Sequence, residues 1–263
     1  MPIVTLTSDF GIRDSYVGAM KGALLEIDDA LTLVDITHEI APQDIAAGSH
    51  TLRHGTPTFP LGTVHLAVVD PGVGGKRRAI AIDDGRHRWV GPDNGLFSHV
   101  LNLPQIRIHE LTNHELHRQP VSPTFHGRDV FAPVAAHLAR GLDINMTGRQ
   151  IEDPIRLPMA SCHFLDGTIT GRIVHIDHFG NLISNVGVSE LERLGRLYTI
   201  KLGDASISTI SSTYTDAPPG ELLALIGSSG LLEIGVRNGS AAQVLAVDRD
   251  MLLTIHATEP SDD

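Results

Sequence analysis

The chain has 263 residues, 41% of them hydrophobic and 19% charged, enough for one large domain or two of ordinary size. A formal net charge of -11 excludes the basic face that nucleic-acid phosphates require, and Lys76-Arg77-Arg78 is too short a cluster to supply one. No apolar run reaches the roughly 18 residues of a membrane span, and the amino terminus is expected to be neither signal peptide nor anchor. The single cysteine, Cys162, excludes an intramolecular disulfide and points to a cytoplasmic protein.

In chain order, residues 3–7 read as a short strand. Apolar residues at Val17, Met20, Leu24 and Ile27 predict a helix over 15–27, with Asp14 placed to cap it. A second strand is expected at 31–36, a second helix at 44–54, and further strands at 63–69 and 79–82. Asp93-Asn94-Gly95 reads as the start of a helix through Leu96, Val100 and Leu101. A strand at 106–109 and a helix at 128–140, ended by Gly141, complete a strand–helix alternation. That alternation predicts an α/β domain over 1–150 with a largely parallel sheet. Residues 151–167, which include Pro154 and Pro158, read as a linker. Beyond them come β-rich runs at 168–176, 198–202, 222–226, 231–234, 243–247 and 251–255, with one helical pattern at 189–194. These predict a small antiparallel β-barrel or sandwich over 168–263, its tail at 259–263 frayed.

Five segments have the residue types that chemistry needs. After the third strand comes Asp70-Pro71-Gly72-Val73-Gly74-Gly75-Lys76-Arg77-Arg78, in which an Asp and an Arg seven apart can converge on one small molecule. The alternative is a solvated turn. Thr7-Ser8-Asp9-Phe10-Gly11 ends the first strand, where an Asp can accept both hydroxyls of a ribose diol or simply form an Asx-turn. Ser122-Pro123-Thr124-Phe125-His126-Gly127-Arg128-Asp129 puts a histidine, the side chain that titrates near neutrality, just before a helix. With 15 histidines in the chain, a structural role for His126 is the competing reading. In Ile176-Asp177-His178-Phe179-Gly180-Asn181, Asp177 can hold an ammonium group, Phe179 can stack and Asn181 can pair with a base edge; a plain hairpin turn fits equally. Gly227-Ser228-Ser229-Gly230 suits a carboxylate held by backbone and serine donors, or another turn. His50 and His54 share a helix face, but no HExxH glutamate or third ligand accompanies them.

Taken together in this order, the five segments resemble the S-adenosyl-L-methionine (SAM) hydroxide adenosyltransferase family, which is related to enzymes that fluorinate or chlorinate the same substrate. The resemblance implies an N-terminal α/β domain, a C-terminal β-barrel, and a homotrimer whose sites lie between subunits. It implies hydrolysis of SAM to adenosine and L-methionine, with SAM as substrate and neither cofactor nor metal. Carried over, the water-activating set falls on Asp70, Arg77 and His126, and the ribose ligand on Asp9. Asp177 and Asp14 match the methionine end, Asn181 an adenine ligand, Ser228 a group near the methionine carboxylate, and Phe125 a wall beside the ribose. On this basis Lys76 and Arg78 revert to surface charge. Two departures from fluorinating relatives favour water over halide. Asp70 replaces a tyrosine, and Gly127 a serine that helps bind halide; a fixed carboxylate repels a halide at short range. Halide-dependent formation of 5′-halo-5′-deoxyadenosine and a non-catalytic SAM- or adenosine-binding role are the alternatives.

Overall fold

A computed structural model describes residues 1–158, 161–195 and 198–257, so the tail at 259–263 lies outside the described residues. The chain divides into two compact units, Met1–Leu157 and Pro158–Asp263, which combine α and β structure around two sheets.

The first unit runs β1 (Ile3–Ser8), α1 (Tyr16–Ile27), β2 (Thr32–Thr37), α2 (Ile45–Gly55), β3 (Val64–Val68), β4 (Ala79–Asp83), β5 (Arg88–Pro92), β6 (Arg107–Glu110) and α3 (Ala132–Ala139). Its sheet has the order β2-β1-β3-β5-β4-β6. β1 lies parallel to β2 and β3, and β3 to β5, whereas β4 pairs antiparallel with both β5 and β6. The parallel series stops there because Asp84-Gly85-Arg86-His87 is too short for a crossover and closes β4 and β5 as a hairpin. Every residue of β3 is buried, as expected of a strand covered on both faces. Met20 and Leu24 of α1 and Val134 and Leu138 of α3 pack on Leu6 and Leu66. Leu52 of α2 joins Val69, Trp89 and Phe97 in a second cluster. Truncating such a leucine to alanine costs about 2–5 kcal/mol.

Three local expectations fail. Ser15, not Asp14, is the N-cap of α1, with no side-chain bond; Asp14 is exposed. Leu96 to Leu101 form successive turns rather than a helix, although all three apolar anchors are buried. β5 escaped notice because its arginine, glycine and proline mask a five-residue strand. The last helix of the unit opens with a π turn over Gly127–Phe131 before α3 begins.

The segment following the 3-10 turn at Ile144–Thr147 stays attached to this unit. Ile151 N donates to Ile108 O (2.9 Å) and Ile155 N to Asp93 Oδ1 (2.8 Å).

The second unit contains β7 (His163–Leu165), β8 (Thr168–Ile176), β9 (Leu182–Gly187), α4 (Val188–Glu192), β10 (Tyr198–Leu202), β11 (Ala205–Ile207), β12 (Ile210–Ser211), β13 (Leu222–Ile226), β14 (Leu231–Val236), α5 (Ala241–Leu245) and β15 (Leu252–Ala257). The sheet path is β11-β10-β15-β8-β9-β14-β13-β12, with β7 on β8. Among the described strands the pairings are antiparallel apart from β12–β13. β8 pairs with β15 along its first half and with β9 along its second, which curls the sheet around Ile173, Leu182, Leu232, Ile234 and Leu253. The run expected as a strand at 243–247 is instead part of α5 and its exit. Ser240 Oγ caps this helix by accepting from Gln243 N (3.3 Å), and Ala246 ends it in the left-handed conformation.

Candidate active site

In the first unit, β3 delivers Val69 and Asp70 into the glycine-rich loop. Gly74 (φ +72°) lies so close to the neighbouring 122–126 segment that a Cβ there would come 2.1 Å from Pro123 O. The loop folds Arg77 back on Asp70. Arg77 Nε donates to both Asp70 oxygens (2.8 and 3.0 Å), and Nη2 donates to Oδ2 (2.5 Å). The side chains are only 4% and 10% exposed, for Asp70 and Arg77 respectively, so the pair is no solvated turn.

Arg77 Nη2 also contacts His126 Nδ1 at 2.8 Å. A guanidinium can only donate, so Nδ1 accepts and the neutral imidazole carries its proton on Nε2. Burial lowers the His126 pKa below the ordinary histidine value, and the Arg77 charge lowers it further, against opposing effects of Asp70 and Asp129. Asp70, Arg77 and His126, 49 residues beyond Arg77, thus form one cluster with a defined proton arrangement. Beside it, Phe125 meets Phe10 (6.0 Å) and Tyr16 (5.4 Å) edge-on, an aromatic corner over the end of β1. A Cβ on Gly127 would lie 3.2 Å from Phe10 Cζ.

Asp9 follows β1 directly, and its Oδ2 accepts from Gln43 N (2.8 Å). A polar chain fixes this turn from below. Lys21 pairs with Asp35 (2.6 Å), Asp35 Oδ1 lies 3.2 Å from His38 Nε2, and His38 Nδ1 meets the buried Ser8 Oγ at 2.7 Å. Ser8 Oγ then accepts from Phe10 N (3.3 Å).

In the second unit, the β8–β9 turn is built around Asp177. Its Oδ1 accepts from Phe179 N and Asn181 N (both 2.9 Å), and its Oδ2 from Asn181 Nδ2 (2.9 Å). Asn181 is buried, whereas the Phe179 ring is 71% exposed. Asn181 Nδ2 also reaches Tyr214 Oη (3.4 Å), which donates to Glu233 Oε1. Burial raises the Glu233 carboxyl pKa and the nearby Asp177 charge raises it further, against the Tyr214 bond; Tyr214 is raised as well. Ser228 is exposed in the β13–β14 turn. Next to it, a Cβ on Gly227 would lie 2.5 Å from Glu233 Oε2, so only glycine lets the turn approach this carboxylate. Tyr214 and Glu233 were missed in the sequence. The usable signal was a lone acid inside the apolar strand Leu231–Val236.

One further expectation changes. Arg78 is no surface charge: it holds the buried Asp93 (2.7 Å) and the exposed Asp153 (2.7 Å), tying the 151–157 segment to the first unit. His50 and His54 do lie together, with ring centroids 4.5 Å apart, and among the described residues no group of three or more potential metal ligands occurs. Among the same residues, no helix is long and apolar enough to cross a membrane.

Comparison with known proteins places these clusters in context. Residues 4–148 match the N-terminal domain model of the SAM hydroxide adenosyltransferases, and residues 171–254 match the C-terminal domain model. The chain is 39% identical over 250 residues to an (R)-S-adenosyl-L-methionine hydrolase from Salinispora tropica, covering 94% of each. It is 38% identical to the enzyme of that name from Thermus thermophilus, covering 94% of this chain and 97% of the relative. A fluorinase from Nocardia brasiliensis is more distant, at 28% over 92% of each chain. The crystal structure of an uncharacterized conserved protein from Thermotoga maritima superposes with a TM-score of 0.90 at 34% identity, covering 97% of this chain and 99% of that one. Both domain models in chain order, and relatives aligned over nearly the full length, establish that the chain belongs to the SAM hydroxide adenosyltransferase family.

Proposed function

We propose that the chain hydrolyses SAM to adenosine and L-methionine by in-line attack of water on the ribose C5′. The observation that carries this reading is the Arg77 guanidinium spanning the Asp70 carboxylate and the His126 ring in a largely buried cluster. The leaving group is a neutral thioether departing from a sulfonium, so it needs no general acid. The difficulty lies with water, a weak nucleophile with a pKa of about 15.7.

On this reading Arg77 stabilises the hydroxide character that develops in the transition state. The ring nitrogen facing Arg77 is already an acceptor, so His126 acts through Nε2–H, as a donor that orients the water oxygen. That leaves Asp70 as the group that draws the proton away. Phe125, Phe10 and Tyr16 shield the reacting atoms from bulk water, which strengthens attraction between nascent hydroxide and sulfonium. Neither cofactor nor metal takes part in this scheme. A halide in the same place would face the Asp70 carboxylate, which explains why water is the nucleophile despite the relationship to fluorinases.

Asp9 takes the ribose diol, Phe125 walls the ribose, Asn181 meets the adenine, and Phe179 stacks on it. Asp177 and Asp14 receive the methionine ammonium, and Ser228 lies near its carboxylate. We further infer a catalytic domain on a largely parallel sheet, a closed C-terminal barrel, and a cytoplasmic homotrimer in which one subunit's first domain faces its neighbour's second. The exposed apolar side chains of Ile12 (75%), Tyr16 (49%) and Phe179 (71%), all beside site residues, support burial by a neighbour. At a SAM concentration below the raised KM of Asp177→Ala, mixing that protein with inactive Asp70→Asn should then restore turnover, because mixed trimers contain sites with both native residues; no recovery would contradict shared sites.

The activity itself is tested by incubating purified protein with SAM and separating the products. Equimolar adenosine and L-methionine are expected, with no 5′-halo product when chloride or fluoride is added. Tight adenosine binding without methionine release would overturn the reading.

A further inference from the structure

The short segment that bears Phe125 and His126 is closed at its base by a residue to which the mechanism so far gives no task. Asp129 is fully buried, within the π turn that follows His126. Its Oδ2 accepts from Ser122 N (2.9 Å), across the segment. Arg128 grips both of its oxygens, Nε on Oδ1 (2.7 Å) and Nη2 on Oδ2 (2.8 Å). The backbone repeats the closure: Asp129 N donates to Phe125 O (3.1 Å), and Arg118 N donates to Asp129 O (2.8 Å). The same Arg128 guanidinium lies over the Phe125 ring, 4.9 Å from its centroid. Asp129 therefore holds Ser122 directly and Phe125 through Arg128, and His126 is fixed between these anchors.

From this geometry we infer that Asp129, clamped by Arg128, is a positioning residue that holds the Phe125–His126 segment in place and supplies the anion facing the His126 ring from its own helix. The inference rests on the SAM-hydrolysis reading for its kinetic consequences, though not for its electrostatic ones.

Burial favours the neutral Asp129 carboxyl, but the Arg128 bonds and the Ser122 amide outweigh it and hold its pKa below the usual carboxylate range. It is thus a permanent anion at neutral pH. The groups facing His126 are Arg77 and Asp70 from the glycine loop, Asp129 from its own helix, and His117 from the turn at 114–117. A fixed anion makes protonation of His126 easier and a fixed cation makes it harder. Asp129 therefore acts on the ring as an anion, and Arg128 acts on it through Asp129.

The test is an NMR titration of the His126 imidazole, assigned by its loss in His126→Gln, in the wild type and two variants. Asp129→Asn should move the His126 midpoint down by roughly 0.5 pH unit, and Arg128→Gln, which leaves the carboxylate in place, should move it by less. In steady-state kinetics Asp129→Asn should lower kcat about tenfold or more while leaving KM within about threefold, the signature of misplaced catalytic groups. Arg128→Lys should recover part of what Arg128→Gln loses. Arg128 is partly exposed, so its variants report even if Asp129→Asn fails to fold. A His126 midpoint unmoved in Asp129→Asn, or kcat unchanged in both Asp129→Asn and Arg128→Gln, would overturn the inference. A wild type that yields no adenosine would instead overturn the hydrolysis reading and leave the titration arm standing.

Discussion

The two polar clusters of this chain are built on opposite electrostatic plans. In the first unit, a carboxylate, a guanidinium and an imidazole share one set of hydrogen bonds, and Arg77 fixes the orientation of both partners. In the second, Asp177 is satisfied by amides and Asn181, while Glu233 is met by a phenol and raised in pKa by burial and by Asp177 itself. On the proposed function, the first plan balances charge around the point where hydroxide character develops. The second leaves two carboxylates reinforcing each other, an arrangement that favours a cationic ligand such as the ammonium or sulfonium of SAM. On the proposed function, the difference assigns the chemical step to the first cluster and leaves the second to recognise part of the substrate's charge.

Substitutions can break this comparison. The largest effect is expected for Arg77→Ala, which frees both Asp70 and His126. A loss in kcat of about 10³-fold, with SAM affinity changed only a few-fold by calorimetry, would place Arg77 in the transition state. Full turnover would remove the first cluster from the chemistry. Asp177→Ala should do the reverse, raising KM by about 10- to 100-fold with kcat held within a few-fold. An unchanged KM would separate the second cluster from substrate.

A smaller effect sharpens the contrast between the units as folded bodies. The first unit buries His65, lowered to about 3, and His99, lowered to about 4, beside Trp89. Desolvation is the main cause in both, so folding keeps them neutral. Because the unfolded chain takes up protons below about pH 6.5 and these sites do not, their contribution is complete above that pH and fades toward pH 4 and 3. Melting followed by Trp89 fluorescence should therefore drop as pH falls from 7 to 5, and His65→Gln should flatten the slope. An unchanged slope in that variant would assign the acid lability elsewhere.

Much of this was legible in the sequence, for physical reasons that can be named. Asp70 and Arg77 were readable as a pair because a short glycine-rich loop leaves few ways to avoid contact. His126 joins them only through the sheet and the π turn, which no local spacing announces. The periodicity of α1 and α2 was plain, yet β5 was hidden, since its strand state comes from pairing with β3 on one side and β4 on the other. α5 was misread because its apolar residues suit either state, and the Ser240 cap decided it. Arg78 looked like one of three surface cations until the fold brought Asp93 and Asp153 against it. Glu233 stayed hidden because a single acid within a strand carries no spacing signal, and its partner Tyr214 is 19 residues away.

The central claim is that water, aligned by Asp70, Arg77 and His126, attacks C5′. Turnover of SAM in ¹⁸O-labelled water, with both products read by mass spectrometry, tests it most directly. The account predicts one labelled oxygen in the adenosine 5′-hydroxyl and none in methionine. Label in methionine, or adenosine free of label, would contradict it.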